Sequence, residues 1–304
     1  MISVIIPVYN NVEYLERLDA CLRQQTYKDF EVIYVDDGST DGSAEMLDQL
    51  TAKKDNYVVI HKGNGGLSSA RNAGICRARG EWLTLIDADD TVEDGYLETL
   101  LSHTADDIDL VIGGVAEVDE NDRLVEPLFS DYEGLVSIST AMTWCYKPKY
   151  FFGGCAWGKL YRTEVIIAGQ LFFDDNKRYA EDILFSIQYL AHVNKKIYFT
   201  TKPVYHYNKG NQASIMHNIT VENLITEVDS YERMCKMVLT TPNVSVECRM
   251  RACIDTYKKY RCLLSQIHKT RQHIEVVAPM RKTVNKTLGF HRIYCWLLWH
   301  VKFK

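Results

Sequence analysis

Three carboxylates occupy four consecutive positions where an apolar run ends. Residues 83–92 read LTLIDADDTV, with Asp87, Asp89 and Asp90 among them. Like charges this close repel one another, and burying them without partners is costly. From extended backbone, residues two apart point the same way, so Asp87 and Asp89 can converge on one spot. Such a pair is tolerable when a divalent cation with oxygen ligands stands between it and a phosphate, where the cation neutralises charge on a departing phosphate group. The plainer alternative is that the run caps a helix beginning near Asp94.

Three further polar clusters follow apolar runs. They are Tyr9-Asn10-Asn11 after Pro7 and Val8, the stretch DDGSTDGS from Asp36 to Ser43, and Lys62-Gly63-Asn64-Gly65-Gly66. Tyr9 offers a ring for stacking on a base, and Asp37 an acceptor for a base N–H. Arg71 stands in the first turns of the helical pattern after Gly65-Gly66. There a guanidinium and the helix dipole could hold phosphate, or the residue belongs to a solvated face. No GxGxxG follows the first apolar run and no GxxxxGK[ST] occurs, which disfavours a dinucleotide-dependent dehydrogenase and a P-loop enzyme. Glu181 and Asp182 open the helical stretch EDILFSIQYL, where acids favour the macrodipole or serve chemistry. His206 and His217 could reach a diphosphate or a metal, although a lone histidine is more often structural. Trp157 and Lys159 could border an acceptor site, with packing the commoner role for the tryptophan.

These residues need a scaffold that gathers them. Runs 2–8, 31–35, 57–60, 82–86 and 108–112 suit strands, and 12–25, 43–53, 67–79 and 94–103 suit amphipathic helices. The alternation predicts an α/β fold with a mostly parallel sheet covered on both faces. Ligands bind beyond the carboxyl ends of such strands, and all four polar clusters fall on that edge. Pro7 is tolerable where its strand leaves the sheet, and Gly80 is placed to end the helix over 67–79. After residue 117 the alternation fades; a helix is expected near 178–192, a strand at 196–200, and helices over 221–238, 246–268 and 272–287. The division this predicts is a catalytic domain over 1–220, with a nucleotide-binding half at 1–115 and an acceptor-side half at 116–220. A helical extension covers 221–304.

The composition is that of a globular chain: 304 residues, 46% hydrophobic, 25% charged, net charge −5. Residues 1–220 hold 20 Lys and Arg against 33 Asp and Glu, whereas 221–304 hold 15 against 7. An acidic body argues against general nucleic-acid binding, and the basic tail leaves an anionic surface as a partner. Nine cysteines without a CxxC pair suggest neither a disulfide framework nor a zinc ribbon. With no basic leader at Met1, and only seven residues in the apolar run 293–299 where a membrane span needs about twenty, a cytoplasmic protein is expected. The stretch 289–304, GFHRIYCWLLWHVKFK, suits the interfacial region of a membrane, here its inner face. Alternatively its aromatics pack against the chain's own helices or a second copy in a homodimer.

VIIPVYNN, VDDGSTDGS, GNGGLSSARNAG and LIDADD, in that order over the first ninety residues, resemble family 2 glycosyltransferases of the GT-A fold. WGKLYR at 157–162 resembles a W-x-K-L-[YF]-R element of bacterial members, YAED at 179–182 an x-E-D motif, and YHYNKGNQAS at 205–214 a Y-x-Y stretch. The resemblance covers residues 1 to 217. It implies transfer of a sugar, with inversion, from a nucleotide-diphosphate sugar of the UDP type. The acceptor would be a sugar hydroxyl of a polysaccharide or lipid-linked precursor, in building a bacterial surface polysaccharide. It further implies nucleotide contacts from Pro7, Tyr9, Asn10, Asp36, Asp37, Arg71, Asp87 and Ala88. Asp89 would be the ligand of Mn²⁺ or Mg²⁺, and Asp182 the general base with Glu181 beside it. Trp157, Lys159, His206 and His217 fall on the acceptor or diphosphate side. A sugar nucleotidyltransferase would want a glycine-rich basic loop where PVYNN stands. A non-catalytic nucleotide-sugar-binding protein would not need both Asp89 and Asp182.

Overall fold

A computed structural model describes residues 1–119, 123–128, 132–147, 153–176, 179–209, 220–270 and 273–289. The chain divides into two compact units. The first holds Met1–Ser137, Cys155–Asp175 and His192–Ser214; the second holds Ile138–Gly154, Asn176–Ala191 and Ile215–Lys304.

The first unit is built on one sheet. Strands β1 (Ile2–Val8), β2 (Phe30–Asp36), β3 (Tyr57–His61) and β4 (Trp82–Leu85) run parallel in the order β3-β2-β1-β4. β1 and β2 are buried at every position, as expected of strands covered on both faces, and so read as continuous apolar runs. The crossovers are α1 (Val12–Gln24), α2 (Ser43–Thr51) and α3 (Leu67–Arg77). Helix α1 buries Leu15, Leu18, Asp19 and Leu22, one stripe at helical spacing. β4 pairs β1 only as far as Leu85 opposite Ile5, so Pro7 lies where β2 alone continues alongside.

Beyond β4 the sheet becomes mixed. In order stand β9 (Lys159–Arg162), β6 (Ile108–Val118), β10 (Lys196–Asn208) and β5 (Thr91–Val92), while β7 (Leu124–Leu128) pairs β6 and β8 (Gly134–Val136) pairs β10. β6 and β10 are parallel to each other; β5, β7, β8 and β9 are antiparallel to their neighbours. Helices α4 (Tyr96–Ser102) and α6 (Thr163–Gly169) complete this unit. The sheet is therefore mostly parallel, with four short antiparallel strands that periodicity does not reveal.

A buried polar knot fastens the return from α3 to the sheet. Glu31, 1% exposed, accepts from Ser3 Oγ (2.7 Å), from Arg79 N (2.7 Å) and from Arg79 Nε (2.9 Å). Burial raises its pKa, yet the bonds from Ser3 and Arg79 overcome that and hold it below the ordinary value. Gly80 serves this knot rather than the helix end expected of it, since α3 stops at Arg77 with Ala78 extended. A Cβ at Gly80 would stand 2.5 Å from Ser3 N and 2.7 Å from Trp82 O, so only glycine lets the chain pass.

The second unit is helical among its described residues: α5 (Ile138–Trp144), α7 (Glu181–His192, all but its last residue), α8 (Val221–Thr240), α9 (Val246–Thr270) and α10 (Val277–Leu288). The Thr220 hydroxyl accepts from Asn223 N (3.2 Å) and caps α8. Val228, Met234 and Val238 of α8, and Ala252 and Leu263 of α9, are buried.

Candidate active site

At the carboxyl ends of β1 and β2 two loops are laced together. Asn10, held at φ +53°, accepts from Thr40 N at its side-chain oxygen (2.8 Å) and donates its own N–H to Ser39 Oγ (3.1 Å). Asn11 N donates to Ser43 Oγ, and Val12 N to Asp41 Oδ2. Tyr9 stands beside this lacing with half its surface exposed (49%), and Pro7 is buried beneath it in β1. Asp36 accepts from Ser39 N (2.9 Å) and pairs with His61 Nδ1 (3.0 Å). Burial raises its pKa, but those bonds prevail and lower it, while His61 is raised, chiefly by Asp36.

Asp37 is 2% exposed and holds the loop after β3. Its carboxylate accepts from Lys62 Nζ (2.5 Å), Gly65 N (3.0 Å) and Gly66 N (2.7 Å). Gly38, at φ +77°, allows the approach: a Cβ there would lie 2.9 Å from Asn64 N. The loop so held delivers α3, which carries Arg71. Arg71 is 1% exposed rather than on a solvated face; it donates to Asp87 Oδ1 (2.8 Å) and lies over the Phe173 ring at 5.2 Å.

The acidic run after β4 is a turn, not extended backbone. β4 ends at Leu85, and Asp90 N donates to Asp87 O (3.1 Å) across residues 87–90. The run does not cap the next helix either, because α4 starts at Tyr96 with Gly95 as its N-cap. The three acids have separate fates. Asp87 pairs with Arg71. Asp90 is buried, accepting from Tyr205 Oη (2.6 Å) and Asn208 N (2.8 Å). Burial first, and then the Asp89 and Asp87 charges, push it well above the usual carboxylate range. Asp89 is half-buried, with its carbonyl accepting from Arg17 Nη2 (2.9 Å) and Asn208 Nδ2 (3.1 Å). Ala88 is 3% exposed.

Among the described residues no three His, Cys, Asp or Glu gather into a closed metal site. Mg²⁺ and Mn²⁺ beside a nucleotide do not need one, since they take one or two carboxylates and fill the rest with phosphate oxygen and water. Asp87 pairs with Arg71 and Asp90 is buried, while Asp89 is half-buried and supplies carboxylate oxygen of the kind a hard cation takes. The donor set fits.

Farther along the first unit, Trp157 is 4% exposed and stacks on Tyr205 (4.6 Å, 7°) and Tyr207 (5.5 Å, 14°). Lys159 lies in β9, 2% exposed, with its ammonium donated to Cys155 O. His206 Nε2 pairs with Glu93 (3.0 Å). His217 lies outside the described residues. Glu181 and Asp182 open α7 in the second unit, both half-buried, after Ala180 at φ +59°. Sequence reasoning missed Lys62, Arg17, Tyr205 and Asn208, which hold the two acidic clusters. Lys62 stands beside its glycines and Tyr205 and Asn208 in the Y-x-Y stretch, but neither pattern gives them this role, and Arg17 carries no local signal.

A family model for glycosyl transferase family 2 matches residues 3–167. Bacillus subtilis EpsH is 33% identical over 218 residues, covering 68% of this chain and 60% of that protein. Streptococcus pneumoniae glycosyltransferase GlyA is 30% identical over 74% of this chain, which is 32% of GlyA. This chain thus spans between a third and three fifths of these relatives. Among solved structures, S. aureus TarS 1–349 in complex with UDP-GlcNAc shares the fold at a TM-score of 0.69 and 20% identity, over 95% of this chain and 80% of that one. The Pyrobaculum calidifontis mannosyltransferase PcManGT, in complex with GDP-Man and Mn²⁺, aligns at 0.56 and 12% identity, over 100% and 88%. With a GT-A architecture and a family match across more than half its length, the chain belongs to glycosyl transferase family 2.

Proposed function

We propose that the protein is an inverting, metal-dependent glycosyltransferase. It moves a sugar from a UDP-sugar to a sugar hydroxyl of a polysaccharide or lipid-linked oligosaccharide precursor. The observation that carries this reading is the gathering, on one edge of the parallel sheet, of half-exposed Tyr9, the glycine loop held by Asp37, and Arg71 paired to Asp87 at 2.8 Å. That edge offers a ring for a base, a guanidinium beside the acidic turn, and a carboxylate for a cation.

In this reading Tyr9 stacks on the base, beside the loops ordered by Asn10, Asp36 and Asp37. Arg71 and Asp87 fix the turn that carries Asp89. Asp89 would hold Mn²⁺ or Mg²⁺, and the bound ion would offset charge on the departing diphosphate. The acceptor hydroxyl attacks the anomeric carbon from the face opposite the diphosphate. As the new C–O bond forms, the bond to the diphosphate oxygen breaks, and the configuration inverts. Asp182 takes the hydroxyl proton, a contribution of about 10²–10⁴-fold, and Glu181 orients it or the acceptor. Trp157, Lys159, His206 and His217 are assigned to the acceptor or diphosphate side by resemblance alone.

No helix among the described residues is long and apolar enough to cross a membrane. In this reading a lipid-linked acceptor is met from the cytoplasmic side by the aromatic, basic stretch 290–304, which lies outside the described residues. Support for a UDP-sugar comes from the TarS likeness. Release of nucleoside diphosphate from a panel of nucleotide sugars, with Mn²⁺ or Mg²⁺ and then with excess EDTA, tests the proposal. Release from a UDP-sugar that stops in EDTA is expected. Release that survives EDTA would remove the metal role. Binding of UDP with no release from any donor, with or without acceptors, would favour a non-catalytic binder.

A further inference from the structure

The 87–90 turn is closed by the Asp90 N–H on Asp87 O (3.1 Å), carries three acids that repel one another, and is pinned from remote elements. Tyr205 of β10, 0% exposed, donates its hydroxyl to Asp90 Oδ2 (2.6 Å) and accepts the Asp87 N–H (3.2 Å) on the same oxygen. Three residues on, Asn208 donates its N–H to Asp90 Oδ1 (2.8 Å) and its amide to Asp89 O (3.1 Å). Arg17 of α1 donates to that carbonyl from elsewhere (2.9 Å). The Tyr205 ring is itself fixed, stacked on Trp157 and met edge-on by Tyr96 at 6.2 Å, whose hydroxyl bonds Thr84 of β4 (2.6 Å).

We infer that Tyr205 and Asn208, acting through Asp90, are positioning residues for the reaction: β10 sets where the turn presents Asp87 and Asp89. Neither residue needs to touch donor or acceptor. Their effect is geometric, because an active-site carboxylate misplaced by about 1 Å can cost 10²-fold in rate. Residues that orient a metal's carboxylate ligand are worth about 10–100-fold in metal affinity or activity. Tyr9 and Asp37, at the other strand ends, are not held by this network, so nucleoside binding should be indifferent to it. The inference rests on the proposed role of Asp89.

Tyr205→Phe keeps the ring and its stacking and deletes one oxygen. In donor hydrolysis it should raise the half-saturating Mn²⁺ concentration about 10-fold and lower kcat at saturating donor. Its affinity for UDP in EDTA should stay within about twofold of wild type. Tyr96→Phe is the control for mere stability: it cuts the bond to Thr84 and should lower the melting temperature without moving the Mn²⁺ midpoint. If Tyr205→Phe fails to fold, Asn208→Ala, which removes one bond to Asp89 O and leaves the ring stack, decides by the same readouts. A variant with wild-type Mn²⁺ midpoint and kcat would overturn the inference, as would an equal shift in Tyr96→Phe. Failure of the underlying reading looks different, since wild-type release would then survive EDTA. The positioning claim would in that case be decided by kcat alone, supported by a fall of about 10-fold and overturned by none.

Discussion

Asp37 and Asp90 are both buried acids just past the carboxyl ends of strands that flank β1, and they are held in opposite ways. Asp37 takes its donors from the loop after the adjacent strand, at Lys62, Gly65 and Gly66. One βαβ unit therefore makes and satisfies its own acidic cluster. Asp90 takes its donors from Tyr205 and Asn208, more than a hundred residues downstream. The Asp37 cluster is thus complete within the first third of the chain, whereas the 87–90 turn waits on the last strand of the sheet. Binding and chemistry should accordingly be separable by mutation.

The largest effect expected lies outside both clusters. If they only bind and neutralise, proton removal belongs to Asp182, and Asp182→Asn should lower kcat by about 10²–10⁴-fold with UDP affinity within about twofold. Calorimetry with UDP and steady-state rates on one preparation check this; loss of UDP binding in step with kcat would blur the separation. Next, Asp37→Ala strands Lys62 and two loop amides. It should cost about 2 kcal/mol of stability and weaken UDP binding by 10-fold or more, with kcat at saturating donor far less changed. Chemical unfolding and UDP titration measure the two parts.

The other end of β2 offers a smaller effect. Glu31→Gln weakens the knot with Ser3 and Arg79 and should cost about 1–2 kcal/mol at pH 7. The folded pKa of Glu31 is lowered, so its contribution is present above the unfolded value of about 4.3 and is lost as pH falls through the folded one. The gap in melting temperature between wild type and variant should therefore narrow on acidification below about pH 4. His61 gives the smallest effect and the opposite sign. Its folded pKa is raised, so its stabilisation is fully present below about pH 6.5 and fades as pH rises through the folded value. His61→Gln should cost a few tenths of a kcal/mol more at pH 6 than at pH 9, a small difference because the His61 ring is itself exposed although its chief partner Asp36 is buried.

The same contrast explains what the sequence makes legible. β1 is predicted at its observed bounds and β2 and β3 within one residue, because doubly covered parallel strands are unbroken apolar runs between helical patterns. Lys159-Leu160-Tyr161-Arg162 forms β9 without any alternation to betray it. Arg162 is there to bond Ile108 O and Ala105 O and to lie over Trp82 at 4.4 Å, a role set by two distant segments. Asp87 and Asp89 are recognisable as a chemical cluster, but their geometry is not. Extended backbone would have aligned them, and the turn parts them instead, one to Arg71 and the other toward the diphosphate side in the proposed function. Tyr205 looks like one more aromatic in YHYN; only the folded sheet shows it gripping Asp90.

Donor hydrolysis by wild type and Asp89→Asn across a Mn²⁺ titration, with UDP affinity measured in EDTA, tests the central claim most directly. The account predicts wild-type activity that saturates with metal and vanishes in EDTA. It also predicts a variant that binds UDP as wild type does yet shows no metal-stimulated turnover at any concentration. Metal-stimulated turnover of ordinary size in Asp89→Asn would contradict it.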